Sequence, residues 1–479
     1  MRKEEIRQII LSHFPHEATR QQSQTVDLWA DFLLSPLREA CFLLTGYAGT
    51  GKTSLVSALV MALRQLGQHT ILLAPTGRAA KVLALYADAP AYTIHRKIYR
   101  QKVFSPEMNN FTQTPNLQRD TLFIVDEASM IANEGLGGGY FGSGRLLDDL
   151  VRHVYAGDNC RLLLIGDSAQ LPPVGEEQSP ALSPRMLESY GLQVSHSELT
   201  TVVRQASQSG ILWNATQLRA LIQEESFLNF PQIRVKGFPD IKVVPGNELI
   251  DELEQSYAHC GTDQTVVVTR SNKRANIYNN GIRARILDMD SELSGGDQVI
   301  VVKNNYFWTT QQQDKQTQAR MPFIANGDIA VIRRVRHERA FYGFRFADAT
   351  LRFPDYDDLE LDVTLLLDTL QSEAQALSRE QQETLFRRIC EDYPEITNQR
   401  QLTDQVKEDA YYNALQIKYA YAITCHKAQG GQWQHVYIDQ GYVTQEMLTP
   451  DYFRWLYTAL TRATERVFLV NWPKEQIAE

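Results

Sequence analysis

Residues 46–53 of this 479-residue chain read Gly46-Tyr47-Ala48-Gly49-Thr50-Gly51-Lys52-Thr53, which matches the pattern G-x-x-x-x-G-K-[ST] at every fixed position. The apolar run CFLLTG (41–46) leads into it, and the helix-forming stretch SLVSALVMALRQL (54–66) follows it. In such a strand–loop–helix unit, the glycines let backbone N–H groups turn inward, and the helix N-terminus adds partial positive charge. The stretch therefore predicts a binding loop for the phosphates of a nucleotide.

The side chains of this loop have separate expected tasks. Lys52 is placed to reach the β- and γ-phosphates of ATP, and the Thr53 hydroxyl to ligate Mg²⁺. The other nucleotide contacts are expected from the loop backbone and the first turn of the helix, at Gly46, Ala48, Gly49, Thr50, Gly51 and Ser54. ATP and Mg²⁺ are therefore the expected ligands.

Two further polar segments directly follow apolar runs. Asp126 and Glu127 follow TLFIV (121–125), and the segment that contains Gln170 follows RLLLI (161–165). We expect Asp126 to hold the Mg²⁺ shell and Glu127 to orient or deprotonate an attacking water. Gln170 is neutral, so it can hydrogen-bond a γ-phosphate or its water and respond when that group is lost.

Apolar runs that alternate with helical stretches set the fold class. The first set comprises residues 41–46, 70–74, 121–125 and 161–165, each followed by a polar loop. Near-continuous apolar runs are typical of strands buried on both faces of a parallel sheet, and ligands bind at the carboxyl ends of such strands. A second set, TVVVT (265–269), VYID (436–439) and RVFLV (466–470), predicts another α/β unit. The expected class is α/β.

Two stretches interrupt this alternation. Residues 93–120 are rich in Asn, Thr, Pro and aromatics, and they fit a small inserted hairpin. Residues 330–412 are β-rich and end in a helix that opens with Ser378 and Gln381 at capping-box spacing. The Asn326-Gly327 pair between two strand-like runs predicts a type I′ hairpin turn.

Composition and charge narrow the class of protein. A formal net charge of −9 counts against a surface that grips nucleic acid all over, but it leaves room for a narrow basic channel. The five cysteines are scattered, which argues against a disulfide framework or a zinc site and favours a reducing cytoplasm. No apolar run reaches the roughly 18–20 residues that a membrane span needs, and the start lacks the features of a signal peptide.

Short stretches throughout the chain complete the pattern. They are TRQQ (19–22), APTGRAAK (74–81), TIHR (93–96), DEAS (126–129), GDSAQ (166–170), LTTVVRQ (199–205), TCHKAQG (424–430) and YTALTRA (457–463). With the phosphate loop, this ordered set resembles the superfamily 1 helicases, in the branch of the RecD-like, Dda-like and Pif-like 5′→3′ DNA motors. The resemblance runs through most of the chain.

The resemblance implies a domain plan. Residues 1–92 and 121–215 would form a first RecA-like motor domain, and residues 216–329 and 413–479 a second. Residues 93–120 resemble the small wedge or pin of this branch. Residues 330–412 resemble the SH3-like β insert, followed here by a helix.

The resemblance also implies residue roles. Arg204 and Arg462 would meet the γ-phosphate from outside the phosphate loop. Gln22 would read the adenine, with Gln21 and Gln24 as rivals, and Gly430 and Gln432 would lie near the nucleotide. Contacts to a nucleic-acid strand are implied for Thr76, His95, Thr269, Thr424 and Lys427, with Phe104 or Phe111 stacking on a terminal base pair.

The function implied is an ATP-dependent DNA helicase that moves 5′→3′ on single-stranded DNA and unwinds duplex, acting as a monomer. An RNA-directed motor stays open because nothing in the motifs reads a 2′-hydroxyl. If the chain were a P-loop switch or kinase with no nucleic-acid role, the motif matches at Arg204 and Arg462 would be coincidences. Gln432 stands where many relatives have Glu, which puts nucleotide selectivity in question. No nuclease signature or long N-terminal extension is seen, so we expect a minimal motor.

Overall fold

The chain was studied as a computed structural model, which describes residues 2–101, 111–134, 142–202, 209–311, 321 and 323–478. Its first α/β domain is built on a sheet in which all six strands run parallel. In order across the sheet, the strands are Ala91–Thr93, His69–Ala74, Thr121–Val125, Arg161–Gly166, Ala40–Gly46 and Gln193–Leu199.

The strand that leads into the phosphate loop shows why this sheet forms. Every residue of Ala40–Gly46 is buried. Phe42 and Leu44 belong to the apolar core on one face of the sheet, and Cys41 and Leu43 to the core on the other. This alternation is what a strand covered on both sides requires. The covering helices are Lys3–Ser12, Arg20–Leu34, Lys52–Gln65 and Gly77–Ala87 on one face, and Ile94–Ile98, Leu146–Tyr155 and Pro184–Glu188 on the other.

The second α/β domain has a parallel sheet of five strands, and all three of its strands predicted from the sequence are present. In order they are Ile241–Val244, Ala463–Val470, Trp433–Asp439, Thr265–Thr269 and Ala422–Thr424. Its helices are Gly210–Gln223, Leu249–Cys260, Asn272–Arg285, Cys425–Ala428 and Pro450–Leu460. No helix in the described part of the chain is long and apolar enough to cross a bilayer.

A closed barrel is attached to the second sheet. Its strands are Gln298–Val301, Ile329–Phe341, Phe344–Phe353, Leu359–Leu366 and Leu415–Tyr419, and the helices Arg379–Cys390 and Gln399–Lys407 lie between the last two. The first and last strands fall outside the span 330–412 expected for the insert. Both are buried along their whole length, like the central strands of a sheet. The helix Arg379–Cys390 begins at the predicted Ser378–Gln381 capping box.

The turn at Asn326-Gly327 is not the predicted type I′ hairpin. A type I′ turn needs positive φ at both central residues, but only Gly327 has it, at 96°. The Asp328 N–H donates to the Ala325 carbonyl at 3.1 Å, which closes an ordinary turn. The strand Ile329–Phe341 then pairs with Gln298–Val301 and not with the residues just before the turn.

The insert at 93–120 is described only in part. Tyr99–Gln101 and Phe111–Gln113 pair as antiparallel strands, as a hairpin requires. Phe104 and the side chain of Phe111 lie outside the described residues. The segment 135–141 of the glycine-rich stretch also lies outside them.

The two α/β domains share one apolar cluster. Tyr47, Ala169 and Leu171 of the first domain pack in the same cluster as the helix Pro450–Leu460 of the second. The helix Gly210–Gln223 belongs to this cluster and packs on Pro450–Leu460, although the first domain was expected to end inside it, at residue 215. A cleft between the domains is therefore lined by the phosphate loop on one side and by Pro450–Leu460 on the other.

Candidate active site

The phosphate loop has the backbone that its glycines allow. Gly49 and Gly51 have φ values of 76° and 84°, in the left-handed region that side chains disfavour. A Cβ on Gly46 would lie 3.0 Å from the Leu199 Cβ, so the loop also needs glycine there for space. The helix Lys52–Gln65 begins directly at the end of the loop. Its free N–H groups therefore face the loop, as an anion site requires.

Two side chains of the loop are placed for a nucleotide and its metal. The Lys52 Nζ lies within the loop, where it donates to the carbonyls of Gly46 and, at 2.9 Å, Tyr47. Thr53 is exposed in the first turn of the helix. A flexible ammonium in the loop and an open hydroxyl beside it suit a phosphate and a divalent cation.

Gln22 supports the loop from behind. Its Nε2 donates to the Thr50 carbonyl at 3.1 Å, and its Oε1 accepts the N–H of Thr19 in a capping box. Its rival Gln21 accepts the N–H groups of Thr200 and Thr201. In this arrangement Gln22 holds the loop backbone, and the adenine contact stays a prediction.

Asp126 and Glu127 end the central strand Thr121–Val125 as expected. Tyr86 donates a short hydrogen bond to Asp126 Oδ2, and the other carboxylate oxygen accepts the N–H of Glu127 at 2.8 Å. Glu127 has a φ of 52°, an uncommon conformation for a residue with a side chain. Strained backbone of this kind is frequent at functional sites.

The electrostatic surroundings of Glu127 suit a proton acceptor. Burial raises the pKa of the Glu127 carboxyl, Arg462 and Lys52 lower it, and the neighbouring Asp126 raises it. A carboxylate with a raised pKa is a stronger base than an ordinary exposed one. Glu127 thus lies close enough to Arg462, in the other domain, to feel its charge.

A tyrosine joins the two domains at the phosphate loop. The Tyr457 hydroxyl donates to Asp167 Oδ2 at 2.7 Å and accepts the N–H of Ala48 at 2.9 Å. Asp167 is buried and also accepts the N–H of Ala169. A single side chain of the second domain therefore contacts both the phosphate loop and the segment that contains Gln170.

That segment has two more contacts with the second domain. The Leu171 N–H donates to the Thr458 hydroxyl at 3.0 Å, and its carbonyl accepts from Gln429 Nε2 at 2.7 Å. Gln170 is 7% exposed, and its Oε1 is buried without a hydrogen-bond partner among the described residues. A buried polar atom without a partner is costly unless a ligand or water satisfies it.

Arg462 is buried, with 4% of its surface exposed. Within the described part of the chain it forms no ion pair, and its guanidinium donates to the Thr458 carbonyl at 3.1 Å and the Gly431 carbonyl at 3.3 Å. A buried cation of this kind favours an anionic ligand. Arg204, its predicted partner in this role, lies outside the described residues.

Gly430 and Gln432 lie at the boundary between the domains. A Cβ on Gly430, whose φ is 71°, would meet Ala79 and the Thr76 hydroxyl of the first domain at 3.1 Å. Gln432 is exposed, and its carbonyl accepts from Arg78, whose guanidinium lies 4.0 Å from the Trp433 ring centre. The structure thus brings this segment to the cleft, while the nucleotide contact of the Gln432 side chain stays a prediction.

The predicted strand contacts in the first domain have local partners. The Thr76 hydroxyl caps the helix Gly77–Ala87 by accepting the N–H of Ala79. His95 is half-buried in the helix Ile94–Ile98, and burial lowers its pKa to about 4, so the ring is neutral at physiological pH. Phe104 lies outside the described residues. These contacts stay predictions.

The three candidates for strand contact in the second domain differ in their burial and in their hydrogen bonds. Thr269 is fully buried, and its hydroxyl donates to the Ser271 carbonyl at 3.1 Å, so it presents no surface to a strand in this structure. Thr424 is half-buried, at the start of Cys425–Ala428. The Lys427 Nζ is buried without a hydrogen-bond partner among the described residues, and burial lowers the Lys427 pKa to about 7.

Two residues of the site were not predicted from the sequence. Tyr457 stands inside the quoted YTALTRA stretch, and that position is the signal it carries in the sequence. Tyr86 lies on the helix Gly77–Ala87 and reaches Asp126 from a distant part of the chain. Nothing in the local sequence marks this contact.

The donor set fits a nucleotide with a divalent metal. Lys52, the loop N–H groups and the start of the helix lie together at the phosphate loop. Among the described residues, Arg462 has no ion pair and Gln170 Oε1 has no hydrogen-bond partner, and both belong to segments that border the loop. Thr53 and Asp126 supply the hydroxyl and carboxylate oxygens that Mg²⁺ prefers. The same residue types would be a costly arrangement without an anion between them.

Comparisons with known proteins agree with this assignment. A family described as AAA domain matches residues 31–226, and one described as UvrD-like helicase C-terminal domain matches residues 419–470. The first match contains the phosphate loop, and the second contains Arg462.

Individual relatives are similar over parts of the chain. The ATP-dependent RecD2 DNA helicase of Deinococcus radiodurans is 33% identical over 35% of this chain and 20% of that protein. The ATP-dependent DNA helicase dda of Enterobacteria phage T4 is 27% identical over 56% of this chain and 57% of that protein. This chain thus spans only part of the length of these relatives.

Among solved structures, the Pif1 helicase from Bacteroides in complex with ADP-AlF3 and ssDNA is similar with a TM-score of 0.46 and 15% identity. The alignment covers 96% of this chain and 94% of that one. With both family matches and the ordered motifs around the phosphate loop, the chain belongs to the superfamily 1 helicases, in the branch of the RecD-like, Dda-like and Pif-like proteins.

Proposed function

We propose that the chain is an ATP-dependent DNA helicase that moves 5′→3′ along single-stranded DNA and separates duplex. The observation that carries this proposal is the Tyr457 hydroxyl, which bonds both the phosphate loop at Ala48 and Asp167. An enzyme that only bound or hydrolysed ATP would not need a second domain in contact with this loop. A motor does, because its stroke is the movement of one domain against the other.

In this proposal the residues divide the hydrolysis of ATP among them. Lys52 and the loop N–H groups bind the phosphates. Thr53 and Asp126 would hold Mg²⁺, which would supply Lewis-acid chemistry toward the phosphate oxygens. Glu127 accepts the proton of the water that attacks the γ-phosphorus, while the bond to the β–γ bridging oxygen breaks to give ADP and phosphate. Arg462 and Arg204 neutralise the charge that develops on the transferred group.

The coupling to movement would run through the segment that contains Gln170. Gln170 hydrogen-bonds the γ-phosphate or its water, so its environment changes on hydrolysis. The neighbouring Leu171 is bonded to Thr458 and Gln429 of the second domain. The effect of losing the γ-phosphate contact would therefore be transmitted to Gln429. Gln429 directly precedes Gly430, which lies against the first domain.

We assign strand binding to Thr76, His95, Thr424 and Lys427. The buried Lys427 ammonium supports this assignment best, because a backbone phosphate would supply the partner that it lacks. The hairpin within 93–120 would act as the wedge, with Phe104 stacking on the terminal base pair. The barrel would act as the SH3-like insert on the second motor domain.

The polarity and the substrate are tested together by unwinding of tailed duplexes. Duplexes with a single 5′ or 3′ tail, made of DNA or RNA, are incubated with the protein and ATP, and strand separation is followed by fluorescence. We expect unwinding of 5′-tailed DNA and strong stimulation of ATP hydrolysis by single-stranded DNA. Unwinding from 3′ tails would reverse the proposed direction, and preference for RNA tails would favour the RNA-directed motor.

We further propose that the protein works as a monomer in the cytoplasm. All five cysteines are free, which suits a reducing compartment. Sedimentation of the full chain, alone and with a DNA tail long enough for one copy, measures the oligomeric state. A dimer on such a short tail would contradict the monomer.

A further inference from the structure

Two histidines and a glutamate meet near the start of two neighbouring strands of the second sheet. His259 lies in the last turn of the helix Leu249–Cys260, His435 lies in the strand Trp433–Asp439, and Glu465 lies in Ala463–Val470. The Glu465 Oε1 is 3.4 Å from His259 Nε2 and 3.7 Å from His435 Nε2, and the three ligating atoms all lie within 4.8 Å of one another. The imidazole rings are stacked, with centres 5.3 Å apart.

A chain of hydrogen bonds fixes which nitrogen of His435 carries its proton. The Tyr437 hydroxyl donates to the Glu252 carbonyl, which can only accept, so Tyr437 must accept from Ser256 Oγ at 2.6 Å. Ser256 has then used its one proton, so it accepts from His435 Nδ1 at 2.8 Å. In the neutral ring, His435 Nε2 is therefore the nitrogen with the free lone pair.

This nitrogen, His435 Nε2, lies 3.7 Å from the Glu465 carboxylate, which is beyond hydrogen-bond distance. His435 is 3% exposed, and its Nε2 is buried without a partner among the described residues. Two electron-rich acceptors that face each other across 3.7 Å are stabilised when a cation lies between them.

We propose that His259, His435 and Glu465 bind a divalent transition metal of the Zn²⁺ class, with water as the fourth ligand. Zinc bonds of about 2.0–2.1 Å to nitrogen and oxygen put neighbouring ligands of a tetrahedron about 3.3–3.4 Å apart. The two distances to Glu465 need little adjustment to reach that spacing. His259 and Glu465 are partly exposed, so solvent can reach the fourth position.

The donor set selects the metal class. Imidazole nitrogens suit zinc and its neighbours, whereas Mg²⁺ and Ca²⁺ prefer oxygen ligands throughout. The Ser256–Tyr437 chain behind His435 is the kind of support that orients a metal-binding histidine. No cysteine belongs to the set, so the scattered cysteines do not bear on it.

A metal here would fasten the end of the helix Leu249–Cys260 to two central strands of the sheet. Glu465 lies three residues after Arg462, and His435 lies two residues after Trp433, whose N–H donates to the Arg462 carbonyl at 3.0 Å. The metal would thus stabilise the strands next to the candidate catalytic arginine, at a place distinct from the Mg²⁺ site.

Cobalt(II) tests the site directly, because tetrahedral Co²⁺ absorbs visible light strongly and octahedral Co²⁺ weakly. The full chain, freed of metals with a chelator and kept without nucleotide or DNA, is titrated with Co²⁺. We expect one strongly absorbing Co²⁺ per chain, displaced by Zn²⁺ and not by excess Mg²⁺, and a higher Tm with Zn²⁺. His259→Ala and Glu465→Gln should each weaken binding about 100-fold. Neither variant removes a buried side chain.

His337→Asn is the matched control. His337 is an exposed histidine 3.3 Å from the Asp348 carboxylate without a second imidazole in the pair, and its φ of 51° suits asparagine. This variant should bind Co²⁺ like the wild type. Weak absorption displaced by Mg²⁺, equal binding by His259→Ala, or loss of binding in His337→Asn would overturn the proposal. A thiolate-to-cobalt band would overturn the donor set in favour of Cys260.

Discussion

The two halves of the candidate active site are built in opposite ways. The phosphate-loop half comes from eight consecutive residues, and Lys52 already has carbonyl partners within the loop. The opposite half is assembled from separate segments of the chain. It contains a buried arginine without an ion pair in the described structure and a Gln170 oxygen without a hydrogen bond.

This difference indicates that the two halves have separate tasks. The local half is complete before the domains meet, so it is suited to holding a nucleotide in any state of the cleft. In the assembled half, Arg462 has no ion pair and Gln170 Oε1 has no hydrogen bond among the described residues. Both groups are therefore available to respond to the γ-phosphate. Tyr457 is the direct link between the halves, through Ala48 and Asp167.

Removing the ammonium of the local half should have the largest effect. Lys52→Ala should reduce ATP hydrolysis by roughly 10⁴-fold, because the phosphates lose the cation that the loop places beside them. Steady-state hydrolysis with single-stranded DNA measures it, and circular dichroism checks the fold. Arg64→Ala, an exposed change on the same helix, is the control. Substantial turnover by Lys52→Ala would place the active site elsewhere.

Removing the arginine of the assembled half should separate catalysis from binding. Arg462→Ala should slow hydrolysis about 10³-fold while nucleotide affinity changes little, because the guanidinium acts mainly on transition-state charge. Single-turnover hydrolysis and fluorescent-nucleotide binding measure the two quantities. Arg466→Ala, on the adjoining strand and half-exposed, should behave like the wild type. Loss of binding with normal turnover would contradict the comparison.

The link between the halves should have a smaller effect. Tyr457→Phe removes the hydroxyl that bonds Ala48 and the Asp167 carboxylate, so DNA-stimulated hydrolysis should fall about thirtyfold. The matched control is Tyr452→Phe on the same helix, since the Tyr452 hydroxyl donates to Gln440 within its own domain. If both variants lose the same activity, the effect of Tyr457 is structural and does not depend on the contact between domains.

The smallest effect concerns pH. Because the pKa of free Lys427 is lowered to about 7 and a phosphate contact would raise it, binding of single-stranded DNA takes up a proton. Affinity should therefore fall as pH rises, by about tenfold between pH 6 and 8.5. Fluorescence anisotropy at constant ionic strength measures it. Lys427→Arg keeps its charge throughout and should flatten the profile; an unchanged slope would remove Lys427 from the strand contact.

The local half was predictable because its functional groups come from consecutive residues. Motif spacing and the pattern of apolar residues were enough to predict the phosphate loop, its strand and its helix. The same signals predicted that Asp126 and Glu127 lie at a strand end. Four strands of the first sheet and three of the second followed from near-continuous apolar runs. The strands Ala91–Thr93, Gln193–Leu199, Ile241–Val244 and Ala422–Thr424 were not predicted.

The assembled contacts were not predictable because they join distant segments. Tyr86 meets Asp126, and Tyr457 meets Ala48, without any local signal of the pairing. The barrel strands Gln298–Val301 and Leu415–Tyr419 are buried like sheet strands, so composition could not show which structure they join. At Asn326-Gly327 the dipeptide indicated a turn correctly, but the pairing of the next strand depends on tertiary contacts.

The apolar cluster shared by the two domains has a thermodynamic consequence. Tyr47, Ala169 and Leu171 leave water when they pack with the helix Pro450–Leu460. Opening the cleft would hydrate them again, and hydration of apolar surface carries a heat-capacity change. A nucleotide that closes the cleft should therefore bind with a negative heat-capacity change beyond that of its own contacts, measurable by calorimetry at several temperatures. Cooling should therefore weaken the closed state of the motor, because hydrophobic stabilisation decreases at lower temperature.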